Sequence, residues 1–283
     1  MGQTNLAKRH ESGRHLTSHT IIQTANSGVH KGHLVLINRE NPIRQIPSSD
    51  RLAPICSVPA IHTLRDGMRL ERTCLRQLAE LLAASEGLDD IIAVSGYRTK
   101  HDQEQIYSSS LAENGPDYTT RYVALPDRSE HQTGLAIDVG RLGKEIDFIA
   151  PAFPDTDVYK SFKQLAAGFG FIQRYKEGKK ALTQISCEPW HFRYIGYPHA
   201  EIMERHDWCL EEYIDALKGF SYGNEHLLFE DDRTWVEIYY FAADAGESTS
   251  IPLIPCDRFH LSGNNIDGFI VTAFRDRSRG AHV

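Results

Sequence analysis

Residues 129–138 read Ser-Glu-His-Gln-Thr-Gly-Leu-Ala-Ile-Asp, and a second segment at residues 188–191 reads Glu-Pro-Trp-His. Together the two segments provide two imidazoles, His131 and His191, together with the carboxylates of Asp138 and Glu188. Three protein ligands, an open coordination position and a nearby general base are the components of a catalytic zinc site. The two segments therefore predict a metal site in which both histidines and the aspartate are ligands.

The first segment is expected to bend before it enters a strand. From Gly134 onward, apolar residues alternate with small or polar ones, which is typical of a β-strand. Seven positions separate His131 from Asp138, so an unbroken strand would point the two side chains to opposite faces. We therefore expect a turn between them, and Gly134 is the residue that most readily adopts the backbone angles of a turn.

The second segment is expected to place an acid beside the metal without making it a ligand. Pro189 cannot donate a hydrogen bond to a sheet, so Glu188 is predicted to lie in a turn or at a strand entry. His191 would then begin a strand. In this arrangement Glu188 approaches the open position of the metal.

The same residues can also be interpreted without a metal. The chain contains 14 histidines, and a single histidine is more often a surface or core residue than a ligand. Asp138 could be an acid paired with an arginine. A structural or interaction protein with incidental His and Asp residues is therefore one alternative, although the combination of residue types and spacings favours the metal site.

Residues 129–138 followed by 188–191 resemble the signature of the LAS metallopeptidases, the lysostaphin, D-Ala-D-Ala peptidase and hedgehog group. Two further motifs, Ser-Gly-Tyr-Arg at 95–98 and Arg-Tyr-Val-Ala-Leu-Pro at 121–126, are similar to those of the VanY and VanXY D-alanyl-D-alanine carboxypeptidases. The resemblance extends over residues 30–196. It implies zinc as the cofactor, with His131, Asp138 and His191 as its ligands and Glu188 as the catalytic base.

The resemblance also implies three residues that contact the substrate. Arg98 would contact the substrate carbonyl, while Ser129 and Gln105 would help to hold the C-terminal end of the substrate. Arg98 follows an apolar strand expected at residues 91–94 and precedes a helix with a capping-box pattern. A salt bridge is the alternative interpretation of this arginine; a fixed cation aimed at the carbonyl oxygen, where negative charge grows, is the functional one.

Composition limits the class of protein. A chain of 283 residues with 41% hydrophobic and 24% charged residues is typical of a globular protein with one large and one small domain. The formal net charge of −7 argues against nucleic acid as a partner. Five cysteines without a C-x-x-C pair indicate reduced thiols rather than a disulfide framework. With neither a signal-peptide core nor a membrane span in the sequence, we expect a cytoplasmic protein.

The order of the elements indicates an α+β fold, an antiparallel sheet with helices packed on it plus a small β-rich C-terminal module. The resemblance implies the LAS metallopeptidase or hedgehog-like fold. We expect a flexible leader at 1–29, a catalytic domain at 30–198, and a helix with the β-rich module at 199–283. The predicted helices are 68–86, 99–116, 155–168 and 199–217, and the predicted strands are 33–37, 91–94, 134–139, 171–175, 191–195, 235–241, 251–254 and 268–274.

The function implied is that of a zinc-dependent D-alanyl-D-alanine carboxypeptidase. It would remove the C-terminal D-Ala from peptidoglycan precursor peptides and could also cleave the D-Ala-D-Ala dipeptide. An L,D-carboxypeptidase or a D,D-dipeptidase of the same fold is an alternative, because ligand spacing does not distinguish these activities. A non-catalytic zinc-containing binding module is an alternative of another class, and the presence of Glu188 and Arg98 argues against it.

Overall fold

The computed structural model describes residues 20–277. Two compact units make up the chain. The central unit comprises residues 37–211, and the terminal unit joins residues 20–36 to residues 212–277. Within residues 20–277, every helix is too short or too polar to span a lipid bilayer.

Strands and helices alternate in the central unit, and strands predominate in the terminal unit. The strands are β1 Thr20–Ala25, β2 Leu52–Pro54, β3 His62–Thr63, β4 Arg69–Glu71, β5 Ile91–Ser95, β6 Ala136–Arg141, β7 Phe171–Gln173, β8 His191–Tyr194, β9 Leu227–Glu230, β10 Thr234–Ala242, β11 Ser248–Leu253, β12 Arg258–Gly263 and β13 Gly268–Asp276. The α-helices are α1 Arg72–Ala84, α2 Lys100–Tyr122, α3 Asp157–Leu165, α4 Lys180–Thr183, α5 His199–His206 and α6 Leu210–Lys218.

The central unit is built on a five-stranded sheet in the order β3-β5-β6-β8-β7. All its neighbours are antiparallel except β3 and β5, which run parallel. Helices α1 and α3 contribute buried side chains to the core that covers this sheet, among them Leu78 and Phe162. The predicted α+β architecture is confirmed, with one parallel pair that the sequence pattern did not indicate.

Helix α1 begins later than the hydrophobic pattern predicted. The side chain of Glu71 accepts hydrogen bonds from the backbone N–H groups of Thr73 and Cys74, at 2.7 and 3.1 Å, and so caps the helix. Residues 69–71 before it form a strand instead. Helix α2 begins with the predicted capping box at Thr99 and Asp102, and Gly115 interrupts it with a φ of 77° before a second helical segment.

The expected bend between the two motif residues is present. Residues 130–133 form a short 3-10 helix, and Gly134 ends it with a φ of 74°. A Cβ at Gly134 would lie 2.7 Å from Cδ2 of Leu52, so both its backbone angle and its surroundings require glycine. The turn allows His131 and Asp138 to approach each other although seven positions separate them.

The terminal unit contains a four-stranded antiparallel sheet in the order β12-β13-β10-β9 and a separate pair formed by β1 and β11. The prediction of a leader through residue 29 is therefore wrong from Thr20 onward, because β1 pairs with β11 and a 3-10 helix follows at residues 26–30. Residues 1–19 lie outside the described residues. The β-rich character predicted for the C-terminal module is confirmed by the five strands β9–β13.

Two further predictions at the edges of the units need correction. Residues 33–37 are largely buried but form no strand; the N–H of Leu36 instead donates to the backbone oxygen of Asn264 at 3.2 Å. The helix predicted at 199–217 is two helices, because Asp207 adopts a φ of 50° and ends α5. Since α5 belongs to the central unit, the division falls after Glu211 rather than after residue 198.

Candidate active site

Three buried side chains converge where β6 and β8 pair. Asp138 lies directly opposite His191 in the sheet, and the Nδ1 of His191 is 2.9 Å from Oδ1 of Asp138. The Nε2 of His131 lies 3.1 Å from Oδ2 of the same carboxylate. One donor atom from each residue falls within 4.8 Å of the others. Zinc bonds of about 2.1 Å at tetrahedral angles place ligand atoms about 3.4 Å apart, so this arrangement fits a zinc ion.

The His131 ring is fixed from its outer side. Its Nδ1 lies 2.8 Å from the backbone oxygen of Gly96, which can only accept a hydrogen bond. Nδ1 therefore carries the proton and Nε2 presents its lone pair toward Asp138. Burial, with the charge of Arg98 nearby, lowers the pKa of His131 to about 4, so the ring is neutral at pH 7, as a metal ligand must be.

The two other ligand candidates carry opposite charges in the absence of a cation. Burial opposes the protonation of His191, but its hydrogen bond with Asp138 and the nearby negative charge of Glu130 outweigh this effect and raise its pKa to about 9. Burial disfavours the charged form of Asp138, yet its contact with the protonated His191 holds the pKa of the carboxyl well below the usual range. A divalent cation would replace the proton on His191.

Glu188 lies beside this group in the turn before β8. Its Oε2 is 3.8 Å from Nδ1 of His191, and its backbone N–H donates to the oxygen of Tyr175 at 3.0 Å, which fixes the turn against the segment that follows β7. Burial raises the pKa of Glu188 to about 8, and the negative charge of Asp138 adds to this effect. A buried carboxyl group of this kind is suited to exchange protons near neutral pH.

Arg98 reaches the same point from the end of β5. Its Nη2 donates to Oδ2 of Asp138 at 2.8 Å, and its Nε donates to Oγ of Ser95 at 2.8 Å. The salt bridge that was the alternative interpretation of Arg98 is thus present. This salt bridge does not exclude a role of Arg98 in contacting the substrate carbonyl, because Arg98 also lines the cleft beside these residues.

A cleft opens onto these residues. Ser129 lies in its wall and is buried. Much of the remaining wall is apolar and includes Ile106, Tyr122, Phe148, Ile149, Tyr175 and Trp190. The wall of the cleft therefore combines apolar residues with the charged groups described above.

Gln105 is not brought to this cleft. Its side chain is exposed on α2 and bonds to Nε2 of His101 at 3.1 Å. The neighbouring Ile106 lines the cleft instead, because successive helical residues point about 100° apart. Of the seven residues singled out from the sequence, Gln105 is the one that lies apart from the other six.

Two residues that the sequence did not single out support the site. Gln103 is fully buried; its Oε1 accepts from Nη1 of Arg98 at 3.3 Å, and its Nε2 donates to the oxygen of Ala124 at 2.8 Å. Glu130 is buried next to His131 and forms ion pairs with two arginines. The position of Glu130 inside the motif at residues 129–138 could have identified it as part of the site. Nothing in the sequence marked Gln103 apart from its place in the first turn of α2.

Comparison with known proteins gives consistent results. The model of the VanY family, D-alanyl-D-alanine carboxypeptidase, matches residues 67–197. The bifunctional D-Ala-D-Ala dipeptidase and carboxypeptidase VanXYC of Enterococcus gallinarum is 42% identical over 187 residues, which cover 65% of this chain and 94% of that protein.

The D,D-dipeptidase VanXYg, solved with a D-Ala-D-Ala phosphinate analog, superposes with a TM-score of 0.85 at 39% identity, covering 92% of this chain and 100% of that one. A glutamate-to-alanine mutant of the D,D-pentapeptidase VanY, solved with Zn(II), gives a TM-score of 0.51 at 31% identity over 64% of this chain and 98% of that one.

Proposed function

Because this chain belongs to the D-alanyl-D-alanine carboxypeptidase family of the VanY and VanXY type, we propose that it removes the C-terminal D-Ala from peptidoglycan precursor peptides and also hydrolyses D-Ala-D-Ala. The family and the peptidase class predicted from the motifs are confirmed. One observation supports the assignment of roles: the donor atoms of His131, Asp138 and His191 meet beside the carboxylate of Glu188 at one cleft.

Zinc is the cofactor that these residues suit. Two imidazoles and one carboxylate form a donor set typical of catalytic zinc, and a relative of this fold has been solved with Zn(II). In this proposal His131, Asp138 and His191 hold the ion. When bound, zinc supplies Lewis acidity that polarises the scissile carbonyl and makes water more acidic.

Glu188 moves the proton in this mechanism. Its carboxylate accepts a proton from the water that attacks the carbonyl carbon, and it then delivers that proton to the amine nitrogen as the C–N bond breaks. The products are free D-Ala and a peptide shorter by one residue, or two D-Ala molecules from the dipeptide. Burial, which raises the pKa of Glu188, makes its carboxylate a stronger base than an exposed one.

Arg98 and Ser129 position the substrate. Arg98 is fixed by Ser95, Asp138 and the buried Gln103, so its guanidinium can donate to the carbonyl oxygen as negative charge develops there. Ser129 would donate a hydrogen bond to the terminal carboxylate and so set which bond is cleaved. The small methyl groups of D-Ala suit the apolar walls of the cleft.

The dipeptidase activity is proposed as a second activity of the same site. It is supported by the similarity to VanXYC, which is named for both activities, and by the extent of the match to the dipeptidase VanXYg. Both substrates end in D-Ala-D-Ala, so they present the same scissile bond and the same terminal carboxylate. They differ only in what precedes that bond.

The experiment that tests the proposal is product analysis with zinc-loaded protein. Three substrates are compared: a stem pentapeptide ending in D-Ala-D-Ala, free D-Ala-D-Ala, and a stem tetrapeptide with a single terminal D-Ala. We expect loss of one D-Ala from the pentapeptide and hydrolysis of the dipeptide, with the tetrapeptide intact. Cleavage of the tetrapeptide alone would identify an L,D-carboxypeptidase, and no cleavage of any substrate would favour a binding module.

The Glu188→Gln variant is the matched control for this assay. The amide is nearly the same size as the carboxyl group and cannot accept a proton, so kcat is expected to fall by about 10³- to 10⁴-fold while one zinc per chain is retained. Full activity in this variant would reject Glu188 as the base.

We also propose that the protein works in the cytoplasm on small peptides. All five cysteines lie within residues 20–277, and they form no disulfide with one another there, which suits a reducing compartment. Fractionation of cells that produce a tagged full-length chain tests this location, and recovery of the tag outside the cytoplasmic fraction would contradict it.

A further inference from the structure

Glu130 has an unusual environment for a residue that is not itself a ligand candidate. Its side chain has no exposed surface, and its Oε1 accepts from Nε of Arg174 at 2.8 Å and from Nη1 of Arg193 at 2.9 Å. A buried carboxylate requires such partners, because burying an unpaired charge is costly. Both arginine contacts use the same oxygen.

The second oxygen of Glu130 faces a metal ligand candidate. Its Oε2 lies 3.6 Å from Nε2 of His191. In the part of the chain that the structure describes, neither atom has a hydrogen-bond partner at normal distance, although both are buried. Two buried polar atoms that face each other in this way are positioned to form a hydrogen bond when the ring shifts by a few tenths of an ångström.

The charges around Glu130 keep its carboxylate in place. Arg174 also makes two bonds to Glu211, at 2.9 and 2.7 Å, so this group of two arginines and two glutamates is neutral overall. Arg193 donates through its Nε to the oxygen of Tyr194 at 3.1 Å. With both arginines fixed, Oε1 is anchored, and Oε2 is held 3.6 Å from Nε2 of His191.

The two histidines present opposite nitrogens to the metal position. His131 offers Nε2, because its Nδ1 donates to the oxygen of Gly96; His191 offers Nδ1, which faces Asp138. A ring that binds through Nδ1 must carry its proton on Nε2. A carboxylate that accepts this proton would fix the ring and make it a better ligand.

We propose that Glu130 is a positioning residue that accepts the Nε2 proton of His191 and so keeps the Nδ1 lone pair directed at the metal. This inference rests on the proposed function, in that it takes His191 as a zinc ligand. Glu130 is not one of the three ligand candidates, and in this proposal it acts through His191.

The first test measures which ring nitrogens bind the metal in the unaltered protein. The full-length chain is labelled with ¹⁵N-histidine and loaded with ¹¹³Cd, whose coupling to nitrogen identifies the ligand atom. We expect one histidine bound through Nε2 and one through Nδ1, the latter with a slowly exchanging proton on Nε2. Two histidines bound through Nε2, or an Nε2 proton that exchanges as fast as an exposed one, would overturn the proposal.

The second test compares Glu130→Gln with Glu211→Gln. Each variant removes one carboxylate from Arg174, so the two share the loss of a buried ion pair. In Glu130→Gln the amide oxygen accepts from the arginines and its NH₂ then faces Nε2 of His191, which favours the tautomer with the proton on Nδ1. We expect zinc affinity to fall about 10- to 100-fold in this variant and to change less than about twofold in Glu211→Gln, because Glu211 bonds to Arg174 and Asn38 rather than to a ligand candidate.

Equal losses of zinc affinity in the two variants would mean that Glu130 is only structural, and an unchanged affinity in Glu130→Gln would also reject the proposal. The cadmium measurement uses no variant, so it decides even if Glu130→Gln does not fold. Failure of the proposed function would appear separately, as zinc-loaded wild-type protein that binds metal through both histidines yet hydrolyses none of the three substrates.

Discussion

The central unit contains a mostly antiparallel sheet and the terminal unit an antiparallel one, and the two sheets bury different side chains where their strands pair. In the central unit Asp138 lies opposite His191, and both are buried. In the terminal unit Tyr239 lies opposite Val271, and both pack with Ile251 in an apolar cluster. An apolar interior stabilises a fold directly, whereas buried charges do so only when they are paired. The central sheet therefore carries buried charged groups beside its own apolar core, whereas Tyr239 and Val271 of the terminal sheet contribute to stability by apolar packing.

The largest effect is expected from Asp138→Asn in the central sheet. The amide has no charge and is a poor zinc ligand, so zinc affinity is expected to fall by at least about 10³-fold and kcat/KM by about 10⁴-fold. Metal analysis after dialysis and the pentapeptide assay measure the two quantities.

The control for this substitution is Asp267→Asn in the terminal unit. Asp267 pairs with Lys218 at 2.7 Å near the surface, and exposed pairs of this kind contribute about 1 kcal/mol or less. Zinc content and kcat should match those of the wild type. Stoichiometric zinc with full activity in Asp138→Asn would remove the distinction between the two sheets.

Arg98→Met should have the next largest effect. Loss of one preorganised donor to a developing oxyanion lowers kcat by about 10²- to 10³-fold. Zinc should remain bound, since Arg98 contacts Asp138 but is not a ligand candidate. Steady-state kinetics with metal analysis test this, and Arg98→Lys should recover part of the rate because it keeps the charge. Loss of zinc in Arg98→Met would show that the salt bridge from Arg98 to Asp138 is needed for metal binding rather than for stabilising the oxyanion.

Much of the site was predictable because its geometry is local in sequence. The turn at Gly134 and the strand after it followed from the odd spacing and the alternation, and both are present. The pairing of Asp138 with His191 followed from the motif order and not from periodicity, because no local pattern specifies which strands become neighbours. The family resemblance supplied this long-range information.

The features that the sequence did not predict depend on the direction of a side chain or on a partner that is distant in sequence. Gln105 and Gln103 lie two positions apart on α2, and only the observed helix orientation shows that Gln103 is buried and Gln105 exposed. Residues 33–37 have the composition of a strand but bond to the loop at Asn264 instead of to a ladder. The strand β1 within the expected leader is formed by pairing with β11, more than 200 residues away in sequence.

In the terminal sheet, Ile251→Ala is expected to affect stability without affecting catalysis. Ile251 has no exposed surface and packs in the apolar cluster, so its truncation should lower the free energy of unfolding by about 2–4 kcal/mol. Ile251→Val should cost about 1 kcal/mol. Urea denaturation measures the loss, and kcat is measured well below the unfolding midpoint. A fall in kcat under those conditions would show that the terminal unit takes part in catalysis.

The smallest effects separate the two residues that the sequence singled out for the substrate's C-terminal end. Ser129 is buried in the wall of the cleft, whereas Gln105 is exposed and bonds to His101. A hydrogen bond to a charged group contributes about 1.5–3 kcal/mol, so Ser129→Ala should raise KM by about 10-fold or more, and Gln105→Ala should leave it unchanged within about twofold. Steady-state kinetics on the pentapeptide, with zinc content held equal, decides between them. A raised KM in Gln105→Ala would mean that α2 turns this side chain toward the substrate on binding, and an unchanged KM in Ser129→Ala would leave the terminal carboxylate to other groups of the cleft.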